Sequence, residues 1–339
     1  MKGKNDMKYL FFWKTPNIRL AIFGIILIAL LFSGCRFRPK IYHIGILSGL
    51  DFFLNTADGF KEKMTELGYM EGKNIFYDLQ KTNFEPDKEQ QILNKFVSGR
   101  VDLIFTFPTE VSMEAKEITQ GTKIPVLFAN ANIEDVKLVK SVPEPGGNIT
   151  GVRFPGPDLA IKSFEIMHEL VPKAKRFYLP YLKNYPNVEP QLVAVRPVAQ
   201  AAGIILIEVP VSTPDELEFD LASRVNGNDP GMDVIFVIAE ALAVTPEFIN
   251  IIDRFAKEYN IPYDAGPGLG DPIYAITTDA VSVGKLAAVL ADKILKGIPA
   301  GTISVVSAET WLQINYKAAQ KLGLRVSESL LNQANEIIR

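Results

Sequence analysis

The chain has 339 residues, length enough for two medium domains, with 47% hydrophobic residues and a formal charge of −3. Acids outnumber bases, 39 to 36, which disfavours a nucleic-acid partner, because such a partner requires a basic face. One cysteine and two histidines, His43 and His168, leave no internal disulfide and no zinc site built on Cys and His.

Lys2, Lys4, Lys8, Lys14 and Arg19 stand against one acid, Asp6, at the start of the chain. Thirteen uncharged residues (20–32) follow, then Ser33 and Gly34. A basic start, a short apolar run and small residues make a secretory signal peptide over 1–34. Thirteen helical residues rise about 20 Å, short of the roughly 30 Å hydrocarbon core. The apolar residues around 10–13 keep an uncleaved membrane anchor as the alternative. Taken alone, the single Cys35 is open to three readings: a nucleophile, a core residue or a modification site. Leu31-Phe32-Ser33-Gly34-Cys35 resembles the bacterial lipobox, with Phe32 where Leu is usual. That resemblance implies diacylation of Cys35 and a lipidated tether over 35–41. The first 34 residues hold five bases and one acid, so their removal moves the charge from −3 to −7. No other run approaches eighteen apolar residues, so the body is expected to be soluble.

Strand-like and helix-like stretches then alternate. "YHIGILS" (42–48), "NIFYDLQ" (74–80), "VDLIFTF" (101–107) and "IPVLFAN" (124–130) read as buried strands. Amphipathic stretches at 55–69, 85–99 and 109–121 separate them as helices. The rhythm repeats through "KRFYLPY" (175–181), "IILIEVP" (204–210), "MDVIFVIA" (232–239) and "IPYDAG" (261–266), with helices between. "VDLIF" leads through a helix to "IPVLF", and "MDVIF" leads through a helix to "IPYDA", which favours duplication of one unit. The fold class is therefore α/β, with two Rossmann-like lobes of parallel sheet. "VPEPGGNITGVRFPGP" (142–157) between the halves reads as a hinge, with Gly146, Gly147 and Gly151 as its pivots.

"GFKEKMTELGYMEGKNI", "LVKSVPEPGGNITGV", "ELVPKAKR" and "ADKILKGIPAGTISV" resemble the ABC-transporter substrate-binding family that includes tryptophan-binding proteins. The resemblance runs from about Ile44 to Leu324. It implies a type I periplasmic-binding-protein fold with ligand between the lobes. Lobe 1 is then expected at 42–150 plus about 273–300, and lobe 2 at 151–272 plus about 301–339.

Ligands of open parallel sheets bind beyond the carboxyl ends of the strands. That rule selects Ser48, Phe52 and Phe53 after the first strand, Thr106, Phe107 and Thr109 after the third, and Asn130 with Asn132 after the fourth. In the second lobe it selects Tyr181, Glu240 and Asp264. Thr109 is expected to cap the next helix, and the aromatics to sandwich an apolar group. The family resemblance points to the 106–109 turn for an amino-acid carboxylate, although the family's usual Gly-Thr-Pro reads Phe107-Pro108-Thr109 here. It also adds Asp279, and places Glu240 where the family often has Asp, both as partners for an ammonium.

Neither a G-x-S-x-G elbow nor a Walker A motif is present, and the glycine-rich "AGPGLGDP" lacks a dinucleotide-binding setting. No catalytic role, metal or cofactor is expected. The expected function is a lipid-anchored, exported receptor facing the periplasm or cell exterior. It would act as a monomer, delivering a small ligand such as an amino acid to an ABC permease. A ligand sensor of the same fold, coupled to a signalling partner, is the alternative.

Overall fold

The computed structural model describes residues 40–339 other than Asp135. The expected signal peptide and the expected lipidation at Cys35 lie outside the described residues.

Six parallel strands form the first sheet: β1 (Tyr42–Ser48), β2 (Ile75–Lys81), β3 (Leu103–Phe107), β4 (Val126–Ala131), β5 (Ile149–Arg153) and β10 (Val306–Ser307). Their order is β10-β5-β4-β3-β1-β2. Strands β3 and β4 are buried along their whole length, as expected of a parallel sheet covered on both faces. Helices α1 (Leu54–Glu66) and α8 (Ala280–Leu295) cover one face, where Phe60, Phe105, Phe107 and Ala287 pack together. On the other face, α2 (Pro86–Ser98) and α3 (Thr109–Ile118) bring Leu93 and Val111 against Ile104 and Phe128. The contact between α1 and α8 is a backbone contact. A Cβ on Gly59 would meet the Val281 carbonyl oxygen at 2.1 Å, and one on Gly284 the Thr56 oxygen at 2.0 Å.

The second sheet system holds β6 (Arg176–Leu182), β7 (Ile205–Val211) and β8 (Val234–Ile235), parallel in the order β7-β6-β8. Parallel bridges from Ile235 to Tyr263 and from Asp264 to Tyr274 connect it to β9 (Tyr274–Thr278), β11 (Thr310–Asn315) and β12 (Glu336–Ile338). Four longer helices flank this system: α4 (Gly156–Leu170), α5 (Val188–Ala201), α6 (Pro214–Ser223) and α7 (Pro246–Tyr259). Two short helices, α9 (Tyr316–Lys321) and α10 (Glu328–Gln333), follow β11. Phe164, Phe177, Phe236 and Tyr274 pack on one side, and Tyr178, Leu217 and Ile252 on the other.

The chain passes between the two systems three times: at Phe154–Pro155, at Asp279, and at Ala308–Glu309. This changes the expected lobe bounds. Strand β9, expected in lobe 1, pairs with β11, and only α8 after it packs on the first sheet. Strand β10, expected in lobe 2, pairs with β5. Nor are the strands all parallel, because β11 runs antiparallel to β9. A chain leaving β10 toward the second system enters it with no crossover helix to reverse its direction.

The expected pivots sit elsewhere too. Gly151 is inside β5, where an added Cβ would lie 2.2 Å from the Phe128 carbonyl oxygen. Its lack of a side chain serves close packing rather than rotation. The Gly146 N–H donates to the Gly301 carbonyl at 3.0 Å, and Gly147 lies beside it, so both stay with the first sheet.

Candidate ligand-binding cleft

The strand ends of the two systems meet across a cleft that encloses about 130 Å³. An engineered cavity of ~150 Å³ is enough to admit benzene. Most of the wall is apolar: Phe53, Phe84 and Phe154 on the first-sheet side, and Leu159, Val237 and Ile276 on the second.

Four turns shape the first-sheet side. After β1, the 3-10 turn Asp51–Phe53 brings Leu50 and Phe53 to the cleft. Ser48 does not reach it; its buried hydroxyl donates to the Leu50 carbonyl at 2.8 Å and so braces the turn. The Phe52 side chain lies outside the described residues. After β2, Phe84 enters from a turn in which Asn83 and Phe84 both have positive φ. After β3, Thr106 and Phe107 support the site from below rather than lining it. Thr106 donates to Ser112 Oγ at 3.0 Å, Ser112 donates to the Pro108 carbonyl at 2.6 Å, and the Phe107 ring packs on Phe105 at 5.1 Å. Pro108, Thr109 and Glu110, where α3 begins, do face the cleft.

Thr109 is not a cap. It is the first residue of α3, and its hydroxyl oxygen accepts from the Asn132 N–H at 3.0 Å, which fastens the helix to the turn after β4. Asn130 has φ +49° beside the bulge of β4. Its Nδ2 donates to Thr56 Oγ1 at 2.9 Å, and its Oδ1 accepts from the Thr278 hydroxyl at 3.4 Å. Asn132 is 4% exposed and lines the cleft, yet its side-chain amide makes no hydrogen bond among the described residues.

On the second side, Glu240 and Asp264 both line the cleft and are both buried. Each already has partners. Glu240 accepts from the backbone N–H of Leu182 at 3.1 Å and of Leu242 at 2.9 Å, fixing the turn Ala241–Val244. Asp264 accepts from the Val237 N–H at 2.8 Å and from the Ser163 hydroxyl at 3.1 Å. Burial pushes both carboxyl groups up to about 7, against the lowering effect of those hydrogen bonds. The expectation that Glu240 meets a ligand ammonium thus finds a carboxylate turned to its own backbone. Asp279 caps α8 through the Ser282 N–H and does not line the cleft. Tyr181 is still within β6 and packs against the second core.

Because β6 runs on to Leu182, the turn that reaches the cleft comes later and contributes Tyr185 and Asn187. Burial, and then the Glu110 carboxylate across the cleft, raise the Tyr185 phenol well above its ordinary value. Two buried acceptors in this region, Glu110 Oε2 and Asn187 Oδ1, have no hydrogen-bond partner among the described residues. Phe84, Glu110, Phe154, Tyr185 and Asn187 were not selected from sequence. The strand-end rule covers all five once the true ends of β2, β3, β5 and β6 are known.

Among the described residues no group of three or more His, Cys, Asp or Glu is placed to hold a metal ion. Nor is any helix there long and apolar enough to cross a membrane.

The family model described as ABC transporter substrate binding protein matches residues 44–338. A "Tyrosine-binding protein" of Clostridioides difficile (strain R20291) is 29% identical over 272 residues, 79% of this chain and 76% of that protein. Among solved structures, an ABC domain from Streptococcus pneumonia in complex with L-Trp superposes with a TM-score of 0.74 at 22% identity, covering 88% of this chain and all (100%) of that one. A ligand-free, open substrate binding protein with adhesive properties from Clostridium difficile gives 0.71 at 24% identity, covering 88% of this chain and 99% of that one. Those two likenesses show the fold, that of the type I periplasmic-binding proteins. The match over nearly the whole body identifies the chain as a member of the ABC transporter substrate binding protein family, extracytoplasmic proteins that bind a small molecule and work with an ABC permease.

Proposed function

We propose that this protein binds a single aromatic L-amino acid in the cleft and delivers it to its permease. The observation that carries this reading is the cleft itself. It is of aromatic-ring size, walled by Phe53, Phe84, Phe154 and Tyr185, and carries two buried acceptors without partners, Glu110 Oε2 and Asn187 Oδ1. An apolar wall with a few convergent polar groups is what an aromatic side chain bearing a zwitterionic end requires. The N-terminus of α3, which opens at Thr109 and Glu110, supplies backbone N–H groups suited to a carboxylate. The tyrosine-binding relative and the structural neighbour holding L-Trp support the same ligand class.

The protein binds without converting its ligand, and acts as a monomer with no nucleic-acid partner. It is held to the membrane by acyl chains on Cys35. Acyl chains contribute about 0.8 kcal/mol per buried CH₂, so two or three hold a soluble body at a surface. The lipobox resemblance at 31–35 supports the anchor, and the acidic balance of the body supports the lack of a nucleic-acid partner. Closure of the cleft turns on the three passages at Phe154–Pro155, Asp279 and Ala308–Glu309.

A thermal-shift panel of the L-amino acids and common monosaccharides tests the ligand class. Stabilisation by L-tyrosine or L-tryptophan above all others is the expected result. Stabilisation by monosaccharides alone would overturn it.

A further inference from the structure

We infer that Glu110 and Asn187 grip the ligand's ammonium from opposite sides of the cleft, so that the amino group itself holds the two halves together. This rests on the amino-acid reading of the cleft and names the residues that select for it. Glu110 belongs to the first turn of α3, on the first sheet. Asn187 immediately precedes α5, on the second. Both residues line the cleft, and Tyr185, two residues before Asn187, lies against Glu110.

Glu110 Oε2 and Asn187 Oδ1 are both buried, and neither atom has a hydrogen-bond partner of good geometry among the described residues. The Tyr185 phenol lies close enough to share a hydrogen bond with the Glu110 carboxylate, but it is a neutral donor and leaves the charge unmatched. Buried acceptors without donors are rare and costly, so this pair calls for a donor from the ligand. Each atom only accepts, and one of them belongs to a carboxylate. Glu110 makes no ion pair among the described residues, although it is shut away from solvent at Oε2. The complementary group is therefore a cation with several N–H bonds. A primary ammonium has three donors and serves both acceptors at once. A hydroxyl would satisfy one of them and leave the charge unmatched.

The other acids of the cleft are poorly placed for this task. Both oxygens of Glu240 and both of Asp264 already accept hydrogen bonds from their own side of the molecule. An ammonium held by either would leave the two lobes unlinked. Held by Glu110 and Asn187, it bridges them, and a ligand lacking the amino group has nothing to close on.

Calorimetric titration tests this with L-tyrosine and L-tryptophan, each beside its desamino analogue, on the parent, Glu110→Gln and Asn187→Ala. Melting curves of each variant check that the fold is kept. The parent should prefer the amino acids over the desamino analogues by about ten- to a hundredfold, as for one charge-assisted hydrogen bond. Glu110→Gln should remove most of that preference while changing analogue affinity little. Asn187→Ala should reduce it by about two- to tenfold. If the parent shows the preference and both variants retain it undiminished, the assignment of Glu110 and Asn187 is overturned while the amino-acid reading stands. If the parent binds neither amino acid, that reading falls and this inference with it.

Discussion

Thr278 donates to Asn130 Oδ1 at 3.4 Å, while Asn130 Nδ2 donates to Thr56 Oγ1 at 2.9 Å. One buried side chain thereby ties the end of β9, in the second sheet system, to the start of α1 on the first. The tie sits beside the Asp279 passage between the two systems. Asn also suits the backbone there, since φ +49° is a conformation that Asn tolerates better than most residues.

Asn130→Ala removes both hydrogen bonds and leaves a β-carbon at positive φ. The expected cost is about 1–3 kcal/mol. A lower melting midpoint than the parent's, by several degrees, is the predicted reading. An unchanged midpoint would show that the bridge carries no stability.

Gly151→Ala separates packing from pivoting. With the Phe128 carbonyl oxygen 2.2 Å from the added carbon, strands β4 and β5 must move apart. Overpacking of this kind costs about 1–3 kcal/mol. The variant should melt earlier, with or without ligand. A variant as stable as the parent but slower to bind would instead return the hinge to this glycine.

Stability should depend on pH through Asp264. Burial raises its carboxyl from 3.8 to about 7. Between those values the folded state keeps a proton that the unfolded chain releases. Asp264 therefore contributes stability that is fully present below about pH 4 and lost as pH rises toward about 7. The slope is at most about 1.4 kcal/mol per pH unit for one such group. Asp264→Asn removes the titration; its Oδ1 can still accept from the Val237 N–H, and its Nδ2 would donate to Ser163 Oγ in place of the bond Ser163 now donates. Comparing melting at acid and neutral pH, the variant should gain on the parent as pH rises through this window. A constant gap between the two would contradict the assignment. Glu240, also raised to about 7, adds a second contribution of the same sign in both proteins.

Much of the architecture was legible because buried parallel strands announce themselves. The runs at 42–48, 101–107 and 124–130 each lie on a strand whose residues are almost wholly buried. The reversal of β11 was not legible, since direction within a sheet depends on where the chain crosses, and no local pattern marks Ala308–Glu309 as a crossing. The same limit governed the site. Thr109, Asn130, Phe53, Glu240 and Asp264 were reached by counting from strand ends, and all line the cleft. Tyr181 was reached the same way and does not, because β6 continues one residue further and its turn ends at Tyr185 and Asn187. Glu240 looked like a free acid from its position alone. Only its two backbone donors show otherwise.

Cys35→Ala tests the proposed anchor. The parent should yield a mature chain beginning at an acylated Cys35, and the variant an unlipidated precursor that still carries residues 1–34. Intact-mass spectrometry of protein purified from its membrane reads both. A mature terminus elsewhere, or one without acyl groups, would remove the anchor and leave the cleft untouched.

The most direct test is a crystal structure of the protein grown with L-tyrosine. The predicted result is one ligand in the cleft, its ring among Phe53, Phe84, Phe154 and Tyr185 and its ammonium between Glu110 and Asn187. An L-tyrosine bound elsewhere on the molecule, or a cleft filled by the protein's own side chains at saturating L-tyrosine, would contradict the account.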